Sequence, residues 1–98
     1  METFNEIING NIPVLVDFYA TWCAPCKAMT PIIEQLGKDM AGKARVLKID
    51  IDKNRAVANK FNIQSVPTFI IFKEGKSVWR HSGAIDKNSL TKYINQHL

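Results

Sequence analysis

Two cysteines are present in the chain, and both lie within residues 21–27, whose sequence is TWCAPCK. Only two residues separate Cys23 from Cys26. Paired cysteines serve three kinds of chemistry in proteins: structural disulfides, metal sites and thiol–disulfide exchange. The spacing of the pair and its position between predicted elements distinguish these possibilities.

The short spacing disfavours a structural disulfide, because closing so small a loop removes little conformational entropy from the unfolded chain. Zinc is also disfavoured. It requires four ligands, and zinc motifs usually hold their two histidines about three to five residues apart. The only histidines are His81 and His97, which are much further apart. We therefore expect no metal site.

The position of the pair favours redox chemistry. Residues 13–19 (PVLVDFY) form an apolar run typical of a central strand, and a helix is predicted from Cys23 to Met40. A thiol at a helix N-terminus meets unpaired N–H groups and the positive end of the helix dipole, which favour the nucleophilic thiolate. We expect Cys23, at the exposed start of the helix, to be the nucleophile. Cys26, one turn further in, can then act as the resolving thiol.

Helical and strand patterns alternate along the rest of the chain. Thr3 and Glu6 form a predicted capping box for a first helix, and Asp86 can cap the last one. The order α-β-α-β-α-β-β-α predicts an α/β sandwich of three layers, with a mixed four-stranded central sheet flanked by helices. Residues 1–98 should form a single domain. The remaining predicted strands cover residues 45–50, 68–73 and 77–81, and the third helix covers 52–61.

Composition excludes several other functions. The formal net charge is +4, but the basic residues are scattered and never adjacent, which does not indicate a nucleic-acid partner. The N-terminus lacks a signal-peptide pattern, and no apolar run could span a membrane. We therefore expect a soluble cytoplasmic protein, although an exported protein could be expressed from a new Met1 after loss of its signal. No nucleotide-binding fingerprint is present, so no cofactor is expected.

The sequence around the cysteines resembles the active site of the thioredoxin family. The resemblance covers nearly the whole chain, and its motifs occur in family order. Two departures are visible: Ala24 replaces the usual glycine between the cysteines, and the usual N-terminal strand is missing. The strand near residues 46–49 should therefore lie at a sheet edge. Besides WCAPCK, the matching segments are VDFYA (16–20), KIDID (48–52), SVPT (65–68), FKEG (72–75) and Gly83-Ala84.

This resemblance implies reduction of protein disulfides by dithiol–disulfide exchange, with Cys23 and Cys26 forming the redox-active disulfide. It implies disulfide-containing protein substrates and a flavin-dependent reductase that uses NADPH as the electron donor. We expect the protein to be a monomer.

Asp17 lies in the middle of the apolar run 13–19, which favours a buried acid beneath the disulfide, and the resemblance implies that this acid takes part in the exchange. Burial should raise its pKa, and its carboxylate should accept the proton of Cys26. A solvent-facing position for Asp17 is the alternative. Lys48 on the adjacent strand should reach Asp17 and tune it, although an ordinary surface lysine would have the same sequence pattern.

Substrate proteins should bind around the cysteines. The resemblance implies a cis Val66–Pro67 bond that faces them, with the Val66 backbone free to pair with an extended substrate segment. We expect Trp22 to pack and also to form a rim beside Cys23. Plain packing and turn roles remain the alternatives for these residues. The predicted substrate-binding set is Trp22, Ala24, Pro25, Val66, Pro67, Gly83 and Ala84.

Two other functions are compatible with the same pattern. One is an exported thiol–disulfide oxidant or isomerase of this fold, which would have a signal peptide or a much less reducing potential. The other is a binding subunit that uses the fold as a clamp and does not need its thiols.

Overall fold

A computed structural model describes residues 2–98. Helices and strands alternate in the predicted order. None of the helices in residues 2–98 is both long and apolar enough to cross a membrane. The elements are α1 (Phe4–Ile8), β1 (Val14–Tyr19), α2 (Ala24–Asp39), β2 (Arg45–Asp50), α3 (Arg55–Lys60), β3 (Thr68–Lys73), β4 (Lys76–Ser82) and α4 (Lys87–Asn95).

The four strands form one mixed sheet in the order β2-β1-β3-β4. Strand β1 pairs with β2 in parallel and with β3 in antiparallel orientation, and β3 and β4 form a hairpin. The predicted four-stranded sheet is confirmed, and so is the edge position of β2. β1 is central, which explains why its apolar residues form an almost unbroken run.

Alternating side chains of β1 supply two separate cores. Leu15 belongs to the cluster that contains Leu36 of α2 and Leu90 of α4. Val16 and Phe18 belong to the cluster on the other face of the sheet, which includes α1 and α3 residues. Since successive strand residues point to opposite faces, Asp17 lies on the same face as Leu15, under α2.

The third helix is shorter than the sequence predicts. It begins at Arg55 rather than at Asp52, because a turn stabilised by the Asp50 side chain comes first. Asp50 Oδ1 accepts the backbone N–H groups of Asp52 and Lys53, at 2.9 and 3.3 Å. Asp50 is buried, so this turn is fixed at the carboxyl end of β2, next to the cysteines.

Candidate active site

Both cysteines lie at the junction between β1 and α2. Cys23 is the N-cap residue of α2, and Cys26 lies in its first turn, after Ala24 and Pro25. The two form a disulfide, with their Cα atoms 5.2 Å apart. The backbone N–H of Cys26 donates to Sγ of Cys23 at 3.1 Å. A sulfur atom therefore occupies the place of the capping oxygen, and it receives one of the helix's free N–H donors.

The predicted difference in exposure between the two cysteines is wrong. Cys23 is 4% exposed and Cys26 is 5% exposed. Both belong to a small apolar cluster with Ala20, and both are buried in this disulfide form. The two residues differ instead in their position on the helix. The half-buried side chains packed against this cluster are Tyr19, Ile51 and Val66.

Asp17 is buried as predicted, with 1% of its surface exposed, and the solvent-facing alternative is wrong. Its Oδ1 atom has no hydrogen-bond partner within residues 2–98. Burial raises the pKa of the Asp17 carboxyl from 3.8 to about 6, while the positive charge of Lys48 acts in the opposite direction. The carboxyl can therefore both hold and release a proton close to neutral pH.

Lys48 is the direct neighbour of Asp17 in the β1–β2 register. It is exposed, and its Nζ lies 4.6 Å from the centroid of the Tyr19 ring. In the described part of the chain it forms no ion pair within 4.0 Å of a carboxylate. Lys48 thus influences Asp17 through its charge, while its ammonium group lies against an aromatic ring.

Trp22 projects from the surface, with 67% of its area exposed. The expectation that it packs is wrong, since Trp22 is not among the side chains packed against the cysteine cluster. Its indole N–H donates to Oδ2 of Asp52 at 2.9 Å, which holds the ring beside the disulfide. Sequence reasoning missed this role of Asp52. The two residues are 30 positions apart, and only the parallel pairing of β1 with β2 brings them together.

Two further segments lie at this end of the sheet. The Val66–Pro67 bond is cis, as the resemblance implies, and Val66 packs against the cysteine cluster. The backbone N–H of Gly83 donates to the Pro67 carbonyl at 2.8 Å. Gly83 has a φ of 100°, a conformation that favours glycine. Ala84, which follows Gly83, is exposed. Ala24 and Pro25 at the start of α2 are exposed too.

The chain matches the family model described as Thioredoxin over residues 1–96. It is 44% identical over 93 residues to a thioredoxin of Rickettsia bellii, covering 95% of this chain and 89% of that protein. It is 39% identical over 92 residues to a thioredoxin of Haemophilus influenzae, covering 94% and 86% respectively.

Solved structures of thioredoxins have the same fold. The thioredoxin of Malassezia sympodialis superposes with a TM-score of 0.87 at 35% identity, covering 96% of this chain and 82% of that one. A mutant thioredoxin of Halobacterium salinarum also gives 0.87 at 35% identity, covering 95% and 80%. Sequence, fold and the Cys23–Cys26 disulfide agree. The chain therefore belongs to the thioredoxin family of protein-disulfide reductases.

Proposed function

We propose that Cys23 is the attacking thiol and Cys26 the resolving thiol of this reductase. The observation that carries the assignment is the contact between Cys23 Sγ and the Cys26 N–H, 3.1 Å long, at the N-cap of α2. In the reduced protein the same donor and the helix dipole favour a thiolate on Cys23. Cys26 lies within the first turn, where its sulfur can reach Cys23 but is not the capping atom.

The reaction then proceeds by two exchanges. The Cys23 thiolate attacks one sulfur of a substrate disulfide, forms a mixed disulfide and releases the other substrate sulfur as a thiolate. Cys26 loses its proton and attacks Cys23 Sγ, which closes the Cys23–Cys26 disulfide and releases the second substrate thiolate. Two electrons pass from the dithiol to the substrate, and the two released thiolates are protonated.

Asp17 is the group we assign as acceptor of the Cys26 proton. Burial on the α2 side of the sheet and a pKa of about 6 support the assignment, since at neutral pH the carboxyl is mostly ionised but still basic enough to take a proton. Oδ1 has no competing hydrogen bond within residues 2–98. Lys48 tunes this basicity through its charge.

Substrate proteins bind, in this account, across the surface around the disulfide. Trp22 supplies an exposed aromatic contact, and the Val66 backbone beside the cis peptide pairs with an extended substrate segment. The close packing of Val66 on the cysteine cluster and the Gly83–Pro67 hydrogen bond support a single continuous surface. Its remaining members are Ala24, Pro25 and Ala84.

Re-reduction requires an electron donor. We assign this role to a flavin-dependent reductase that uses NADPH, since the family resemblance implies it. We also propose that the domain of residues 1–98 works as a monomer in the cytoplasm. No bound cofactor is needed for the exchange steps, because the two thiols supply both electrons.

The assignment of the two cysteines can be tested with single substitutions. Cys23→Ser should abolish reduction of a protein disulfide such as that of insulin. Cys26→Ser should accumulate a mixed disulfide between Cys23 and the substrate, visible as a mass adduct that a reducing agent removes. Full turnover by either variant would contradict the proposal.

A further inference from the structure

A cavity of about 200 Å³ lies between the segment that follows β2 and helix α3. Two of its lining residues connect it to the active site. Ile51 also packs against the Cys23–Cys26 cluster, and Asp52 also holds the Trp22 indole. The cavity therefore shares two residues with the surroundings of the disulfide, where substrates must place their own disulfide. Its lining residues are Ile51, Asp52, Arg55, Ala58, Asn59 and Ile63.

Two charged residues line this cavity, Asp52 and Arg55, and within residues 2–98 only the Asp52 side chain has a hydrogen-bond partner. Asp52 Oδ2 already accepts the indole N–H of Trp22. Arg55, at the start of α3, is exposed, and no carboxylate in the described ranges lies within 4.0 Å of its guanidinium group. Its planar fork of N–H donors matches a carboxylate, and the Asn59 amide adds further donors on the same helix. Lys53, also exposed, increases the positive charge nearby.

The apolar lining residues can contact the methylene groups of a substrate side chain that enters the cavity. Ala58 is 6% exposed, and Ile63 is half-buried against the core cluster that contains Val16 and Phe18. An aspartate or glutamate could place its methylene groups against them and its carboxylate at Arg55. A lysine would be repelled by Arg55 and Lys53, and the one acid in the lining, Asp52, already accepts the Trp22 indole N–H through Oδ2.

We propose that this cavity binds an acidic side chain of the substrate protein, with Arg55 as the residue that determines this preference. The inference rests on the proposed function, since it requires substrates to bind over Cys23. Ile51 lines the cavity and also packs against the cysteine cluster, so the two lie close together. An extended chain advances about 3.3 Å per residue, so three residues span about 10 Å, and we expect the acidic residue about three positions from the attacked cysteine.

The test uses capped peptides with one cysteine, activated as a 2-pyridyl disulfide. Attack by Cys23 on the cysteine sulfur releases 2-thiopyridone, whose absorbance gives the second-order rate constant. The peptides differ only in Glu, Gln, Leu or Lys at the third position before or after the cysteine. At low salt the reduced protein should react about threefold faster with one Glu peptide than with its Gln counterpart, as for an exposed ion pair. Added salt should diminish this ratio.

Two variants distinguish a local contact with Arg55 from a general attraction of acidic peptides to positive charge on the surface. Arg55→Gln should bring the Glu-to-Gln ratio to about one without changing the rate for the Gln peptide. Lys53→Gln removes the same charge two residues away, outside the cavity lining, and should lower the ratio far less than Arg55→Gln does. Equal rates for Glu and Gln at both positions, a preference for Leu or Lys, or an unchanged ratio in Arg55→Gln would overturn the proposal. Reaction of the Gln peptide with wild type but not with Cys23→Ser separately tests the proposed function.

Discussion

Asp17 combines burial with a carboxyl oxygen that lacks a hydrogen bond within residues 2–98, and this should cost stability. Its pKa is about 6 in the folded protein and 3.8 as the ordinary value. Between these values the folded state binds more protons than the unfolded state. The contribution of Asp17 to stability should therefore be most favourable below about pH 3.8, decline as the pH rises to about 6, and stay lower above it.

Asp17→Asn removes the buried charge and should stabilise the oxidised protein at pH 7.5, by at most about 3 kcal/mol. The gain should shrink as the pH is lowered and vanish near pH 4, where wild-type Asp17 is protonated. Urea denaturation of both proteins at several pH values measures it. A gain that is independent of pH would indicate that charge burial is not its cause.

The same substitution should slow the resolving step, because asparagine cannot accept the Cys26 proton. The rate of release from a preformed mixed disulfide on Cys23, followed by rapid mixing, should be lower in Asp17→Asn above about pH 6. Below that pH the two proteins should converge, since wild-type Asp17 is then itself protonated. Identical rates across the whole pH range would remove Asp17 from the mechanism.

Residue types and spacing were sufficient to predict the chemistry of Cys23 and Cys26 and the burial of Asp17. The burial of Asp17 was predictable because Asp17 is the only charged residue in an apolar run that is typical of a strand covered on both faces. The contact of Trp22 with Asp52 was not predictable in this way. Asp52 looks like the start of a helix in the sequence, and only tertiary pairing reveals that its carboxylate receives the indole N–H.

At the scale of elements, two backbone hydrogen bonds join the β3–β4 turn to the end of α1 and the residues just after it. Gly75 N–H donates to the Ile8 carbonyl at 2.9 Å, and Glu74 N–H donates to the Gly10 carbonyl at 3.1 Å. Gly75 has a φ of 81°, and a Cβ there would collide with the Asn9 side-chain oxygen. Glycine therefore suits the conformation of this turn, and any larger residue would also have to displace the Asn9 side chain.

Gly75→Ala should destabilise the protein by more than the roughly 1–2 kcal/mol expected for a left-handed alanine alone. Gly42→Ala is the matched control. Gly42 has a φ of 83°, but a Cβ there would meet nothing within 4 Å. Thermal or urea unfolding of both variants measures the difference between their stabilities. Adding Asn9→Ala to Gly75→Ala should recover part of the lost free energy of unfolding. Equal losses of stability in Gly75→Ala and Gly42→Ala would contradict a collision with Asn9.

The elements themselves follow closely from the sequence. The apolar run of β1 and the capping box at Thr3 predict their structures through local physics alone. The beginning of α3 was predicted wrongly, because the Asp50 side chain binds two backbone N–H groups and delays the helix. A carboxylate that caps a turn and one that opens a helix have the same appearance in the sequence.

At the scale of the whole molecule, the sheet brings three distant segments to one end. The Cys23–Cys26 disulfide follows β1, the cis Val66–Pro67 bond precedes β3, and Gly83 follows β4. Strand order and direction explain why these ends meet. Pattern and periodicity predict the strands but not which of them are adjacent, so this part of the site was predictable only through resemblance to a known family.

The central claim, that the assembled site is a reductant, is tested most directly by its reduction potential. Equilibration of the purified protein with a glutathione or NADPH couple, followed by quantification of the Cys23–Cys26 disulfide, gives this value. We predict a potential close to the value known for thioredoxin, about −270 mV. A potential near −120 mV, typical of a strong thiol oxidant, would contradict the account.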